Sequence, residues 1–149
     1  MTDTSEAYEV LRGLINESPF YKYMDLEVME AGEGRSRLLM KVKPEMLNLF
    51  GICHGGAIAT IMDSSFAIAL GTTLEEGKVL VTVDMRINYI STVNSGELVG
   101  EGRVIHRGTQ TAVVSAEVRN GSGELVAVGM STYLICSPAD LRQADYQDQ

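Results

Sequence analysis

The sequence predicts a single α+β domain in which a curled antiparallel sheet of five or six strands surrounds one long hydrophobic helix. Three observations lead to this prediction. A run that is apolar on nearly every side extends from Asn48 to Leu70, and a helix with no polar side is a buried helix. Alternating strand patterns stand before and after this run. The chain has 149 residues, which is the size of one domain, so residues 1–149 are assigned to one unit.

The part of the chain before the apolar run is expected to form one helix and two strands. The helix covers about residues 4–16, and Pro19 interrupts it. Two alternating strands lie between Leu26 and Pro44. The connection that follows is unusually apolar for a loop, so we expect it to pack inside. Its apolar residues are Met46, Leu47, Leu49 and Phe50.

The part of the chain after the apolar run is expected to consist of strands. Alternating patterns predict them at residues 79–89, 97–106, 111–119 and 125–135. Short turns separate the last three or four strands, so these should be neighbours in a meander. Strict alternation in the first of these strands places Thr82 on its mainly polar face. The tail at residues 138–149 lacks apolar density and is expected to fray.

Composition and charge exclude several classes of function. A net charge of −8 and a pI near 4.7 oppose attraction to nucleic acid, whose binding depends on basic residues that neutralise phosphates. The apolar part of the central run, at residues 57–70, is too short to cross a bilayer of about 30 Å. The two cysteines have no metal or redox spacing, and the N-terminus has no secretory pattern. We therefore expect a cytoplasmic protein without a metal, a nucleic-acid partner or a membrane partner.

Asp63 is the anomalous residue of the central run. The run begins with His54-Gly55-Gly56, and at helical spacing its few small or polar residues form one narrow stripe. An ionised carboxylate on a buried helix is costly unless it is paired or hydrogen-bonded. Asp63 is therefore either a structural carboxylate, paired with an arginine such as Arg86, or a residue kept for chemistry.

The order of these residues resembles a known family. Asn48, Gly51, the His54-Gly55-Gly56 triplet and Asp63 are followed by a strand block that contains Val81-Thr82-Val83-Asp84-Met85 and Asn88-Tyr89. This combination resembles the hotdog-fold acyl-CoA thioesterases of the phenylacetyl-CoA thioesterase (PaaI-like) type, over about residues 26–135. The resemblance implies a hotdog fold and hydrolysis of an acyl-CoA thioester to a free acid and coenzyme A. It implies no cofactor, because coenzyme A is part of the substrate.

The resemblance also implies a role for each residue of the motif. The thioester carbonyl would be polarised by the Gly55 N–H and by Asn48, Asp63 would be the nucleophile or the general base, and Thr82 would orient the attacking water. The physics agrees for Gly55, because the first N–H groups of a helix lack intrahelical partners and carry partial positive charge. His54 is expected to position the helix start rather than to carry a proton. Gly56 is expected to let the substrate approach the backbone closely.

The spacing of Gly55 and Asp63 predicts an oligomer. Eight residues of helix separate them by about 12 Å, whereas a base and an oxyanion donor must flank one carbonyl within about 3 Å. If both residues act, they come from different subunits across a two-fold interface. The family forms dimers whose sheets join, so the resemblance implies a homodimer that pairs into a homotetramer as a dimer of dimers.

The substrate contacts are less determined by the sequence. The turn Arg107-Gly108-Thr109 is either a phosphate contact for coenzyme A or a plain hairpin turn. Several apolar and aromatic residues are candidates for the border of the acyl pocket. They are Phe20, Tyr21, Tyr23, Met46, Phe50 and Met62.

Two other functions compete with thioester hydrolysis. One is an acyl-CoA binding domain without turnover, since the same fold can sense ligands. The other is a dehydratase of 3-hydroxyacyl thioesters, although no Asp and His stand at the short spacing that those relatives use. Cys53 beside His54 is a poor candidate for a thiol nucleophile, because sequence neighbours usually point apart and no third group is evident.

Overall fold

The computed structural model describes residue 9 and residues 12–142, and these form the predicted α+β arrangement with six strands. Residues 12–16 are helical, and a 3₁₀ turn covers Pro44–Met46. The helices that follow residue 16 are α1 (Pro19–Tyr23), α2 (Gly55–Gly71) and α3 (Pro138–Arg142). The strands are β1 (Leu26–Gly32), β2 (Arg35–Lys41), β3 (Val79–Tyr89), β4 (Glu97–Arg107), β5 (Thr111–Asn120) and β6 (Leu125–Cys136).

The six strands form one antiparallel sheet in the order β1-β2-β4-β5-β6-β3. The predicted meander is correct for β4, β5 and β6. It is wrong for β3, which pairs with β6 at the edge of the sheet instead of with β4. The connection from β3 to β4 crosses the end of the sheet and is tied to the loop before α2, where the Cys53 N–H donates to the Val93 carbonyl at 2.6 Å. β3 therefore has one edge without a partner strand among the described residues.

The central helix α2 packs directly on the backbone of β4. A Cβ atom added at Gly102 would lie 2.2 Å from the Ser65 carbonyl oxygen, and one at Gly100 would lie 2.3 Å from the Ser65 Oγ. No side chain fits between helix and strand at these positions. Across the same contact, the Ser36 hydroxyl donates to the Ser65 carbonyl at 2.7 Å. The two glycines thus fix the height of α2 above the sheet near Asp63.

A β-bulge changes the face to which part of β3 points. The pairing of β3 with β6 skips Val83, so that Thr82 lies opposite Tyr133 and Met85 lies opposite Ser131. Directly opposite residues of an antiparallel pair point to the same side of the sheet, and Tyr133 and Ser131 are both buried beneath the helix. The prediction that Thr82 lies on the polar face is therefore wrong, because the extra residue breaks the alternation and lets Thr82 and Met85, three positions apart, both point inward.

Two further expectations are corrected by the structure. Met46 is buried as predicted, but Leu49 and Phe50 are 100% and 86% exposed, because a tight turn at Asn48 directs them outward. The tail expected to fray begins with the helix Pro138–Arg142, while residues 143–149 lie outside the described part. The helix predicted at residues 4–16 is described at residues 9 and 12–16, and these are helical. The rest of it lies outside the described residues.

Within the described residues, none of the helices has the length and apolarity needed to span a bilayer. The described residues also contain no cluster of three or more His, Cys, Asp or Glu side chains that could hold a metal ion.

The close contact between α2 and β4 predicts a strong effect of a single methyl group. Gly102→Ala should lower the free energy of unfolding by about 1–3 kcal/mol, because its Cβ would overlap a backbone carbonyl that cannot move aside easily. The matched control is Gly32→Ala, where an added Cβ meets nothing within 4 Å. Urea unfolding followed by circular dichroism measures both variants. Equal stability of the two would contradict this account of the contact.

Candidate active site

Asp63 lies half-buried in the middle of α2 and is hydrogen-bonded to two strands of the sheet. The Tyr133 hydroxyl of β6 donates to Asp63 Oδ1 at 2.7 Å. The Thr82 hydroxyl of β3 donates to the same oxygen at 3.1 Å. Among the described residues, Oδ2 has no hydrogen-bond partner, so one carboxylate oxygen is fixed and the other is uncommitted.

Asp63 forms no ion pair with an arginine in the described part of the chain. Arg86 lies opposite Met130, whose side chain is on the outer face of the sheet and exposed, and opposite residues share a face. Arg86 therefore points away from the helix. None of the ion pairs formed by residues 9 and 12–142 includes Asp63. The alternative of an Asp63–Arg86 pair is wrong, and neutral hydroxyl groups hold the carboxylate.

Two tyrosines beside Asp63 remain protonated at neutral pH. Burial raises the pKa of Tyr133 well above its usual range. The Thr82 hydroxyl lowers this pKa, the hydrogen bond and charge of Asp63 raise it, and the Ser131 hydroxyl lowers it by the smallest amount. Burial also raises the pKa of Tyr21, the Ser64 hydroxyl lowers it, and the charge of Asp63 raises it. Both phenols can therefore act as donors. Tyr133 was missed by the sequence analysis, although a phenol in the inward row of an apolar strand is a recognisable signal.

His54 caps the start of α2 and leaves one backbone donor available. Its Nδ1 accepts from the Gly56 N–H at 2.8 Å, which agrees with the positioning role expected for it. The Gly55 N–H has no acceptor among the described residues. The Tyr89 hydroxyl donates to the Gly55 carbonyl at 2.9 Å, and the Tyr89 ring lies against Gly55. The helix start therefore presents the Gly55 N–H as a free donor, which can bind an oxyanion.

Asn48 is oriented by the loop that precedes α2. Its Oδ1 accepts from the Phe50 N–H at 2.9 Å and from the Ile52 N–H at 3.4 Å. These two donors identify the oxygen end of the amide. The Nδ2 group consequently points away from the turn, and it has no acceptor among the described residues. The loop is tied to the helix start, because the His54 N–H donates to the Met46 carbonyl at 2.7 Å.

A cavity of about 410 Å³ opens beside the helix start. Two of the candidates for the acyl pocket, Tyr23 and Met46, line it together with His54, Gly56 and Thr60. Met62 does not line this cavity, because its side chain is fully buried in the core. The remaining three candidates, Phe20, Tyr21 and Phe50, are not among the residues that line this cavity.

The turn at residues 107–109 is closed on itself. An Nη of Arg107 donates to the Gly108 carbonyl, and the Gly108 N–H donates to the Thr111 carbonyl at 2.9 Å. The Arg107 Nε is buried without a hydrogen-bond partner among the described residues. Ala112 of β5 lies opposite both Arg107 of β4 and Tyr133 of β6. Arg107 is therefore two strands from Tyr133 in one cross-strand row.

Apart from the turn at residues 107–109, the predicted site residues form two groups within one chain. Thr82 joins Asp63, while Gly55 and Gly56 follow His54 at the helix start and Asn48 lies on the loop before it. Gly55 and Asp63 stand on one helix, about 12 Å apart along its axis. The two groups do not converge on one point in a single chain.

Comparison with known proteins places the chain among thioester-cleaving enzymes. The family model described as the thioesterase superfamily matches residues 50–127. Human acyl-coenzyme A thioesterase 13 is 33% identical over 132 residues, which cover 87% of this chain and 94% of that protein. A conserved protein of Pseudomonas aeruginosa has a solved structure with a TM-score of 0.76 at 32% identity, covering 80% of this chain and 94% of that one.

The E. coli PaaI protein from the phenylacetic acid degradation operon superimposes with a TM-score of 0.80 at 23% identity, over 90% of this chain and 96% of that chain. This identity supports a shared fold. The hotdog fold expected from the sequence is confirmed by the six-stranded sheet around one central helix and by these structural neighbours.

The orientation of Asn48 predicts different stabilities for two substitutions. Asn48→Asp keeps an oxygen that accepts from the Phe50 and Ile52 N–H groups, so its free energy of unfolding should stay within about 0.5 kcal/mol of wild type. Asn48→Ala leaves both donors without their acceptor and should cost about 1–2 kcal/mol. Urea unfolding measures both. A larger loss for the Asp variant than for the Ala variant would show that the amide is oriented the other way.

Proposed function

Because this chain belongs to the thioesterase superfamily and is a thioester hydrolase, we propose that it hydrolyses acyl-CoA thioesters to a free carboxylic acid and coenzyme A. The observation that carries the proposal is the environment of Asp63. This carboxylate lies half-buried on the central helix, is held through Oδ1 alone, and keeps Oδ2 available. The human relative named acyl-coenzyme A thioesterase 13 supports the choice of substrate class.

The Gly55 N–H and the Asn48 Nδ2 polarise the thioester carbonyl in this proposal. Attack on the carbonyl carbon moves an electron pair onto its oxygen, and a donor aimed at that oxygen stabilises the transition state by about 3–4 kcal/mol. Both donors are free within the described residues, and both lie at the same end of α2. His54 keeps Gly55 in place by capping the helix.

Asp63 supplies the attacking oxygen or activates it. As a general base, Oδ2 takes a proton from water while the water oxygen bonds to the carbonyl carbon, and the C–S bond then breaks to release the thiolate of coenzyme A. As a nucleophile, Oδ2 itself forms the bond, and water afterwards cleaves the acyl-aspartate anhydride. Thr82, within hydrogen-bond distance of Asp63, orients the water in either case. No metal or further cofactor enters these steps.

A second copy of the chain completes the site in this proposal. The helix separates Gly55 from Asp63 by about 12 Å, so the carbonyl is held by Gly55 and Asn48 of one subunit and attacked through Asp63 of another. The unpaired edge of β3 supports a two-fold dimer, because it exposes Val83 and Tyr89 by 63% and 51%. Leu49 and Phe50, on the loop of Asn48, are further apolar surface for the same contact. We propose that two such dimers form a tetramer.

The turn Arg107-Gly108-Thr109 is proposed to bind the phosphates of coenzyme A. An acidic chain does not attract this anion at long range, so a local cation is needed. The buried and unsatisfied Nε of Arg107 supports the proposal, because such donors in native proteins usually find an acceptor. We also propose a cytoplasmic location, which is supported by two free cysteines, both buried.

Asp63→Asn tests catalysis against binding. The amide cannot accept the proton of water or attack the carbonyl, so kcat for thiol release from a panel of acyl-CoAs should fall about 10²- to 10⁴-fold. Acyl-CoA affinity, measured by calorimetry, should change little. A variant with full turnover would disprove the role of Asp63, and a wild-type protein that binds acyl-CoA without turnover would be a sensor.

Mixed oligomers test whether the site is shared. Asp63→Asn and Asn48→Asp subunits should each be nearly inactive alone. Co-expressed in equal amounts, they should recover about a quarter of wild-type activity, because half of the dimers are mixed and each mixed dimer has one intact site. If Asp63 and Asn48 acted within one chain, every site would keep one defect. No recovery on mixing would then be observed.

Arg107→Ala tests the phosphate contact. The KM for acyl-CoA should rise about tenfold, as expected for the loss of a charge-assisted hydrogen bond. Turnover of a short acyl-pantetheine thioester, which lacks the nucleotide, should stay within about twofold of wild type. Arg119→Ala is the control, because Arg119 pairs with Glu117 away from the turn. Equal effects of Arg107→Ala on both substrates would contradict the contact.

A further inference from the structure

We propose that Tyr133 is the positioning residue for Asp63, and that its hydroxyl sets the orientation of the catalytic carboxylate. This inference rests on the proposed function, since it assigns a role toward the acid of that reaction. Tyr133 does not touch the thioester. It acts through Asp63, whose Oδ1 it binds at 2.7 Å.

The geometry distinguishes Tyr133 from Thr82, the other donor. The Tyr133 hydroxyl also lies 3.2 Å from the Asp63 backbone carbonyl, so it stands against both the side chain and the main chain of the same residue. The Tyr133 side chain has no exposed surface and is one of the largest buried side chains in the core. Its ring cannot move without disturbing that packing. The Thr82 hydroxyl, by contrast, makes a longer bond of 3.1 Å in an exposed setting.

A fixed Oδ1 determines the position of Oδ2. Once one carboxylate oxygen is bound by a rigid donor, rotation about the Cβ–Cγ bond of Asp63 is restricted, and Oδ2 is directed to one place. Misplacement of a reacting group by about 1 Å can cost about 10²-fold in rate. The hydrogen bond from Tyr133 therefore fixes the position of Asp63 Oδ2 relative to the substrate carbonyl, which another subunit holds.

Few other groups hold the Asp63 carboxylate. Within residues 9 and 12–142, no ion pair includes Asp63, and the Thr82 hydroxyl donates the other hydrogen bond to its side chain. Loss of the Tyr133 donor thus leaves Thr82 as the remaining donor to the carboxylate among the described residues.

Tyr133→Phe is the test, because it removes the hydroxyl and keeps the buried ring. We expect kcat to fall about tenfold or more, with the KM for acyl-CoA within about twofold of wild type. The fall in kcat is measured per folded molecule, with the folded fraction determined by circular dichroism at the assay temperature. A residue that served only the fold would lower the stability without this loss of kcat per folded molecule.

The matched control is Ser36→Ala, which also removes a buried hydroxyl that binds the central helix. Ser36 donates to the Ser65 carbonyl and does not contact Asp63. Its loss should lower the stability but leave kcat within about twofold of wild type. A wild-type kcat in Tyr133→Phe, or an equal fall of kcat in both variants, would overturn the inference. If Asp63→Asn is inactive in the same experiment, the proposed function stands and the role of Tyr133 alone fails.

A second variant covers the case in which Tyr133→Phe does not fold. Site-specific replacement of Tyr133 by 4-aminophenylalanine keeps the ring and places an N–H donor where the hydroxyl stands. Because the donor to Asp63 Oδ1 is retained, kcat should stay within about threefold of wild type. A folded amino variant with the kcat of Asp63→Asn would overturn the inference.

Discussion

The contact between the central helix and the bare backbone of β4 determines the geometry of the site. Gly100 and Gly102 of β4 allow α2 to pack so closely that a Cβ atom at either position would overlap Ser65. Asp63 stands two residues from Ser65, so the same contact sets its height above the sheet. Only at this height do the hydroxyls of β6 and β3 reach its carboxylate. The positions of the acid and of the helix start thus both follow from how closely helix and sheet pack.

The carboxylate of Asp63 is held by hydroxyl groups rather than by a cation. A guanidinium at the same place would stabilise the negative charge strongly and make the carboxylate a weak base. Hydroxyl groups orient it while contributing only partial charges. Because the side chain is half-buried, its uncommitted oxygen remains reachable from outside the core. An acid in this setting is ordered without losing its reactivity, which is the condition that general-base or nucleophilic chemistry requires.

The amino-acid pattern predicted the fold well and the site in part. Alternation located β3 at residues 79–89, and the apolar run with His54-Gly55-Gly56 located the central helix. The bulge at Val83 was not predictable, because it depends on the register with Thr132 and Tyr133 of β6, which lie far along the chain. The role of Tyr133 was missed for the same reason, since its contact with Asp63 spans 70 residues of chain. The outward turn of Leu49 and Phe50 follows from hydrogen bonds to Asn48, which hydropathy does not record.

The bulge at Val83 has a consequence for how the sequence of β3 can change. Thr82 contacts Asp63 and Tyr89 contacts Gly55, and seven positions separate them. In a regular strand, residues an odd number apart point in opposite directions, so one supernumerary residue is what lets both side chains reach the same helix. Substitutions within β3 preserve the number of residues between Thr82 and Tyr89. Loss or gain of one residue between Thr82 and Tyr89 changes it, and would separate Gly55 from Tyr89 or Asp63 from Thr82. We therefore expect natural variation along β3 to be confined to exchanges of residue type at constant length.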